Sequence, residues 1–354
     1  MHSSKYLLAY LGPISVVAGL YFGGAWSFGI VYLVFGILPL LELFLPRNSD
    51  NFQAEAETEK NARRYFDFLL YAHVPILYGI LFYAFYKFTF TPLTPLEVTG
   101  LIFNIGVMVG SFGINIGHEL GHRGSRYEQF LAKALLLPAL YQHFFIEHNR
   151  GHHKNVATDA DPASARISET VYEFWWRSVT EGYKSAWHIE HEQLQRDGFA
   201  SWSWHNMMLR FQVYQILYLV VIGFYFGAAA ILVAIAIAIV GFLLLETVNY
   251  IEHYGLRRAL LPNGRYEPVL PKHSWNSDHA LGRIFLYELT RHSDHHFKAT
   301  RKYQVLRHFD DSPQLPFGYP LSMLMALVPP LWFSVMRQKI REINREVQGV
   351  VKIF

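Results

Sequence analysis

Long apolar runs separated by short polar stretches dominate the chain. Six of them, at 6–24, 27–45, 66–86, 98–117, 209–226 and 228–248, approach or reach the ~20 residues an α-helix needs to cross a bilayer core. They predict an all-α membrane protein with six transmembrane helices, organised as one domain over 1–354. A further apolar stretch at 130–146 has helical period but contains Pro138 and follows Gly124-Ser125, so it reads as a re-entrant or interfacial hairpin rather than a crossing. The segment 47–65, rich in Asn, Glu and Ala, reads as a polar linker.

Charge orients these spans. The connections at 24–27 and near Gly227 carry no Lys or Arg, and 87–97 carries one. Arg47, Lys60, Arg63 and Arg64 lie in the connection after the second span, and most other cations lie in 121–208 and after His253. Lys and Arg near span ends favour the cytoplasm. Both termini of this multi-pass protein are therefore expected there, with the first span a retained helix rather than a signal peptide. A hydrophobic fraction of 52% agrees, the net charge of +3 is small with its cations mostly on the inferred cytoplasmic side, and no segment resembles a nucleic-acid module. The absence of cysteine excludes disulfides and thiolate metal ligands.

Histidine changes the picture. Nine of the 18 fall into four groups: His118 and His122 in HELGH, His148, His152 and His153 in HNRGHH, His253 in NYIEHYG, and His292, His295 and His296 in HSDHH. Residues at i, i+3 and i+4 share a helix face, so His118/His122, His148/His152 and His292/His295/His296 are each expected to converge on one point. Neutral imidazole suits iron, zinc, copper or nickel, and one ion rarely takes more than six ligands. Nine clustered histidines therefore imply two metals. Each group has a plainer reading alone: HELGH matches a zinc-peptidase pattern, HNRGHH and HSDHH suit a solvated patch, and His253 suits a helix cap. Their coincidence at the span ends favours a site, because polar groups at membrane depth are costly unless paired or metal-bound.

The spacing H-x3-H, H-x3-HH, H-x2-HH resembles the histidine-box membrane desaturases and hydroxylases. Within them, HELGHR at 118–123, EHNRGHHKNVATDADPAS at 147–164, NYIEHYGL at 249–256, KHSWNS at 272–277 and LTRHSDHHFKATRKYQVLRHF at 289–309 look like the bacterial alkane 1-monooxygenases, over about residues 27–336. The resemblance implies two non-haem iron ions facing the cytoplasm, and O2-dependent oxidation of the terminal methyl of a medium-to-long n-alkane to a primary alcohol. It also implies electrons from rubredoxin, itself reduced by a rubredoxin reductase. A chain without cysteine cannot hold rubredoxin's iron, so the donor must be a separate protein. A desaturase or a hydroxylase acting on fatty acyl or alkylaromatic substrates shares the skeleton, and a metal transporter is the alternative of another class.

Supporting residues follow from the same chemistry. Metal-bound histidines usually give their second ring N–H to a carboxylate. Asp161 and Asp294, then Glu119 and Glu252, are expected in that role, with Glu147 and Asp159 behind them. In the second span Val34, Leu38 and Leu41 fall at i, i+4 and i+7, the stripe expected to wall a substrate channel. Arg123, Lys154, Arg291, Lys298, Arg301 and Lys302 are expected to offer an acidic donor a basic docking surface. His143 is expected in the core or behind the ligands, and His273 in a structural or supporting role.

Overall fold

The computed structural model describes residues 3–351. All six apolar runs are helical: Ser3–Phe22, Gly24–Glu42, Arg64–Phe90, Pro95–Gly121, Met207–Phe226 and Ala228–His253. No β-strand occurs among the described residues, only isolated bridges. Three spans run a few residues beyond their apolar cores at the polar end, so that His118 lies in the last turn of the fourth span and His253 closes the sixth.

The fourth span is the hub: 83% of its apolar window is buried inside the protein, against 17% for the fifth. A capping box starts it, with Glu97 N–H donating to Thr94 Oγ1 and Thr94 N–H to Glu97 Oε2. It crosses the sixth span at close range. A Cβ on Gly106 would stand 2.5 Å from Val240 Cβ, and one on Gly110 2.8 Å from the Gly241 carbonyl. Small residues four apart allow that approach, which holds the ends bearing His118 and His253 together. The fifth and sixth spans turn at Gly227, whose φ of 84° is open to glycine at little cost.

Outside the spans, the 130–146 stretch forms helix Arg126–Leu136, a break at 137–143 and a second helical run over 144–155. Helix Val171–Arg196 was not anticipated. Its sequence signal is the Thr170–Glu173 capping box followed by Phe174, Ser178, Gly182, Ala186 and Glu190, which are buried at helical spacing.

The 272–277 motif proves to be a strap between the sixth span and the last histidine group. Trp275 gives its backbone N–H to the Glu252 carbonyl at 2.8 Å and its indole N–H to the Tyr254 carbonyl at 2.9 Å. Asn276 Oδ1 accepts from Ser293 N–H at 2.8 Å. The start of the chain is tied to the same region, because buried Glu288 accepts from Lys5 Nζ, Tyr6 Oη and Arg283 Nε at 2.6–2.7 Å.

Candidate metal centre

The nine histidines assemble into two groups. His118, His122, His148, His153 and His295 form one, and His152, His253, His292 and His296 the other, with all ligand atoms within 4.8 Å of one another in each. The partition differs from the one expected by spacing. His148 and His152 part company because residues 148–152 form a π-turn, in which His153 N–H bonds the His148 carbonyl and His153 comes round to face His148. His292 and His296, four apart, share one group, while His295 turns to the other.

Ring nitrogens crowd together. In the first group, Nε2 of His295 lies 2.9 Å from that of His118 and 3.1 Å from that of His153, which is 3.0 Å from His148 Nε2. In the second, His292 Nε2 lies 2.9 Å from His296 Nε2 and 3.2 Å from His253 Nε2, and His152 Nε2 is 3.2 Å from His296 Nε2. A neutral imidazole carries one N–H, so converging lone pairs of this density repel unless a cation sits among them. Around an ion bound at about 2.1 Å, an octahedral edge is about 3.0 Å and a tetrahedral edge about 3.4 Å. The observed separations are those of donors gathered around one cation in each group.

Electrostatics point the same way. Burial, reinforced by neighbouring histidines, holds His122, His148, His153, His292, His295 and His296 well below the ordinary histidine pKa, in the neutral form that binds metals. His152 is the exception: burial opposes its charge, but the Asp161 carboxylate 2.9 Å from Nδ1 raises its pKa. Asp161 also accepts from Ser164 Oγ at 2.5 Å and Ala163 N at 3.1 Å, which fixes its direction.

Not all expected carboxylates stand where they were placed. Asp294 accepts from Arg301 and from Arg307 N–H at 2.7–3.0 Å, and Glu119 from Arg123 and from Tyr303 N–H. Neither meets a ring nitrogen. Each lies one or two positions along the helix from a ligand and so points away from the face that His118 and His292 use. Glu252 reaches His292 from the convergent side, with Oε2 3.2 Å from Nε2, while Oε1 accepts from Tyr319 Oη at 2.8 Å. Asp159 is exposed, 3.7 Å from Arg257, and Glu147 Oε1 is buried with no hydrogen-bond partner.

His143 packs edge-on against Tyr141 and Tyr183, outside both groups. His273 lies 3.0 Å from Glu267 and accepts from Leu270 N–H, in the strap. The basic surface is smaller than expected, since Arg123 and Arg291 are buried, Arg301 is held by Asp294 and Lys302 by Asp67. Lys154 and Lys298 are exposed.

An apolar cavity ends at the histidines. Its walls include Val34, Phe35 and Leu38 from the second span, Phe112 from the fourth and Phe285 and Met323, and its floor includes His118, His148, His292, Asn115, Asn249 and Glu252. Leu41 is not part of it and is 47% exposed. A π-turn over Leu33–Ile37 inserts a residue into the second span and rotates the helix beyond it, which breaks the stripe read from i, i+4 and i+7. Phe35 went unnoticed for the same reason.

Known proteins resemble this chain in sequence. The fatty acid desaturase family profile matches residues 93–323. The alkane 1-monooxygenase 2 of Pseudomonas aeruginosa is 38% identical over 95% of this chain and 90% of its own length. The alkane 1-monooxygenase 1 of Alcanivorax borkumensis is also 38% identical, over 95% of this chain and 84% of its own. The chain belongs to the alkane 1-monooxygenase family. As a family member, it places both histidine groups at one end of its spans, beside an apolar cavity that contributes no charged group except Glu252 at the floor.

Proposed function

We propose that this chain hydroxylates the terminal methyl of medium-to-long n-alkanes to primary alcohols at a pair of iron ions, using O2 and electrons from a separate reduced rubredoxin. The carrying observation is the apolar cavity whose floor takes His118 and His148 from one histidine group and His292 from the other. Two irons, five histidines on one and four on the other, supply the oxygen chemistry that no side chain can.

The chain's own residues do the rest. An alkane offers no group to hydrogen-bond, so its position is set by shape alone. Val34, Phe35, Leu38 and Phe112 confine it, and a narrow slot presents a chain end before internal carbons. Asn115, Asn249, Glu252 and Tyr319 form the polar end, able to hold water or the alcohol near the histidines while the walls keep bulk water out. The asymmetry of Lys and Arg supports a cytoplasmic face for both histidine groups and both termini, in a bacterial inner membrane. Exposed Lys154 and Lys298 are the remaining cations of the expected set that an acidic donor can meet.

Product analysis tests the reading. Iron-loaded membranes given NADH, rubredoxin reductase, rubredoxin and mixed n-alkanes should yield 1-alkanols. Alkenes without alcohols would identify a desaturase, and no turnover of any alkane with iron bound would overturn the proposal.

A further inference from the structure

A groove of about 900 Å³ on the outside of the helices has no part in the chemistry above. It lies between the third span, the fifth span and helix Arg126–Leu136. Its lining holds the cations Arg126, Lys133 and Arg210; the remainder, apart from Gln142 and the hydroxyls of three tyrosines, is apolar and includes Val74, Leu217 and Val221. Arg210 lies in the first turn of the fifth span. That span runs antiparallel to the sixth across Gly227, so Arg210 is on the same side as His253.

These cations are unmatched. Among the described residues no carboxylate forms an ion pair with Arg126, Lys133 or Arg210, and the Arg210 Nε is buried without a hydrogen-bond partner. Lys133 sits over the Phe145 ring, 4.6 Å from its centre. Burial, then the neighbouring Arg210 and Arg150, lowers the Lys133 pKa against the opposing pull of Glu190. The nearby carboxylate, Glu190, is already taken by Arg150 at 3.2 Å and Met207 N–H at 2.7 Å.

The dimensions are informative. From Arg210 to Val221 is eleven residues, about 16 Å along a helix. That is about half of a ~30 Å hydrocarbon core, the reach of one leaflet.

We propose that this groove binds one anionic phospholipid, its phosphodiester held by Lys133 and Arg210 with Arg126 at the rim, and an acyl chain lying along Val74, Leu217 and Val221. Other occupants match only half of it. A free phosphate leaves the apolar trough unfilled, and an alkane leaves the cations unpaired. A zwitterionic lipid adds a positive headgroup to a field that is already positive. Bound there, the lipid ties the third and fifth spans to the helix that leads into the 144–155 run carrying His148, His152 and His153.

Native mass spectrometry of the full chain, released from nanodiscs holding equal phosphatidylglycerol and phosphatidylcholine, tests this. Wild type should keep one phosphatidylglycerol in preference to phosphatidylcholine. Lys133→Gln/Arg210→Gln should retain about ten-fold less of it. Val221→Trp should also lose it although the cations remain, while Lys298→Gln, away from the groove, should match wild type. Unchanged helical circular dichroism and metal content separate loss of lipid from loss of fold. Equal retention of both lipids by wild type, or unchanged phosphatidylglycerol in either groove variant, would overturn the proposal. So would displacement of the lipid by inorganic phosphate alone, which would mean that the cations read the phosphate and the trough reads nothing.

Discussion

Replacing Asp161 by Asn should empty one histidine group and spare the other. Asp161 Oδ2 lies 2.9 Å from His152 Nδ1, and both residues are at most 2% exposed, so no solvent competes for the contact. The carboxylate accepts the Nδ1 proton and thereby leaves Nε2 free to face His296. Asparagine has nearly the same shape and its carbonyl can still accept from Ala163 N–H, but an amide N–H turned to the ring favours the opposite tautomer, with the proton on Nε2. The interaction at risk is a buried, charge-assisted hydrogen bond worth about 1.5–3 kcal/mol, or about 10–150-fold in affinity. Loss of a carboxylate behind a metal-bound histidine is typically about 10–100-fold. Iron-loaded Asp161→Asn dialysed against graded chelator should therefore fall from about two irons per chain to about one at a chelator level that wild type withstands. Circular dichroism should be unchanged. Retention of both irons by the variant, or simultaneous loss of both, would refute the argument that Asp161 acts through His152 on one group only.

Three further outcomes follow from particular contacts. His253→Ala should lose one iron, whereas His273→Ala, in the strap and bonded to Glu267, should keep both by elemental analysis and lose thermal stability instead. Val34→Trp should shift product profiles toward shorter alkanols, and Leu41→Trp, on the exposed face, should leave the chain-length profile unchanged. Gly106→Leu should force the fourth and sixth spans apart, since the added Cβ alone would stand 2.5 Å from Val240 Cβ. Over-packing typically costs about 1–3 kcal/mol, read as a lower midpoint of thermal unfolding.

Much of this molecule was legible in one dimension because the bilayer imposes a one-dimensional rule: a span must be apolar for about 20 residues. The runs at 98–117 and 228–248 announced the two helices that bring His118 and His253 to the site. The histidine groups were legible too, as chemistry that membrane-depth sequence does not carry idly. What stayed hidden depends on local departures from the 3.6-residue period. The π-turn at 148–152 sends neighbours His152 and His153 to different groups, and the π-turn at Leu33–Ile37 removes Leu41 from the cavity and admits Phe35. Each contains a glycine, Gly151 and Gly36, but a lone glycine within a helical run does not announce a π-turn. The carboxylates were misjudged for a related reason. Closeness in sequence placed Glu119 and Asp294 near the metals, but helical direction turned them outward to arginines, and only Asp161, across a loop, meets a ring nitrogen on the outer side.

Titrating metal-free protein with iron while measuring 1-alkanol formation tests the central claim most directly. If five histidines hold one iron and four hold the other, and both serve one cavity, turnover should be negligible below one iron per chain and should saturate at about two. Saturation at one iron, or equal activity with zinc alone, would contradict a two-iron centre built from these nine histidines.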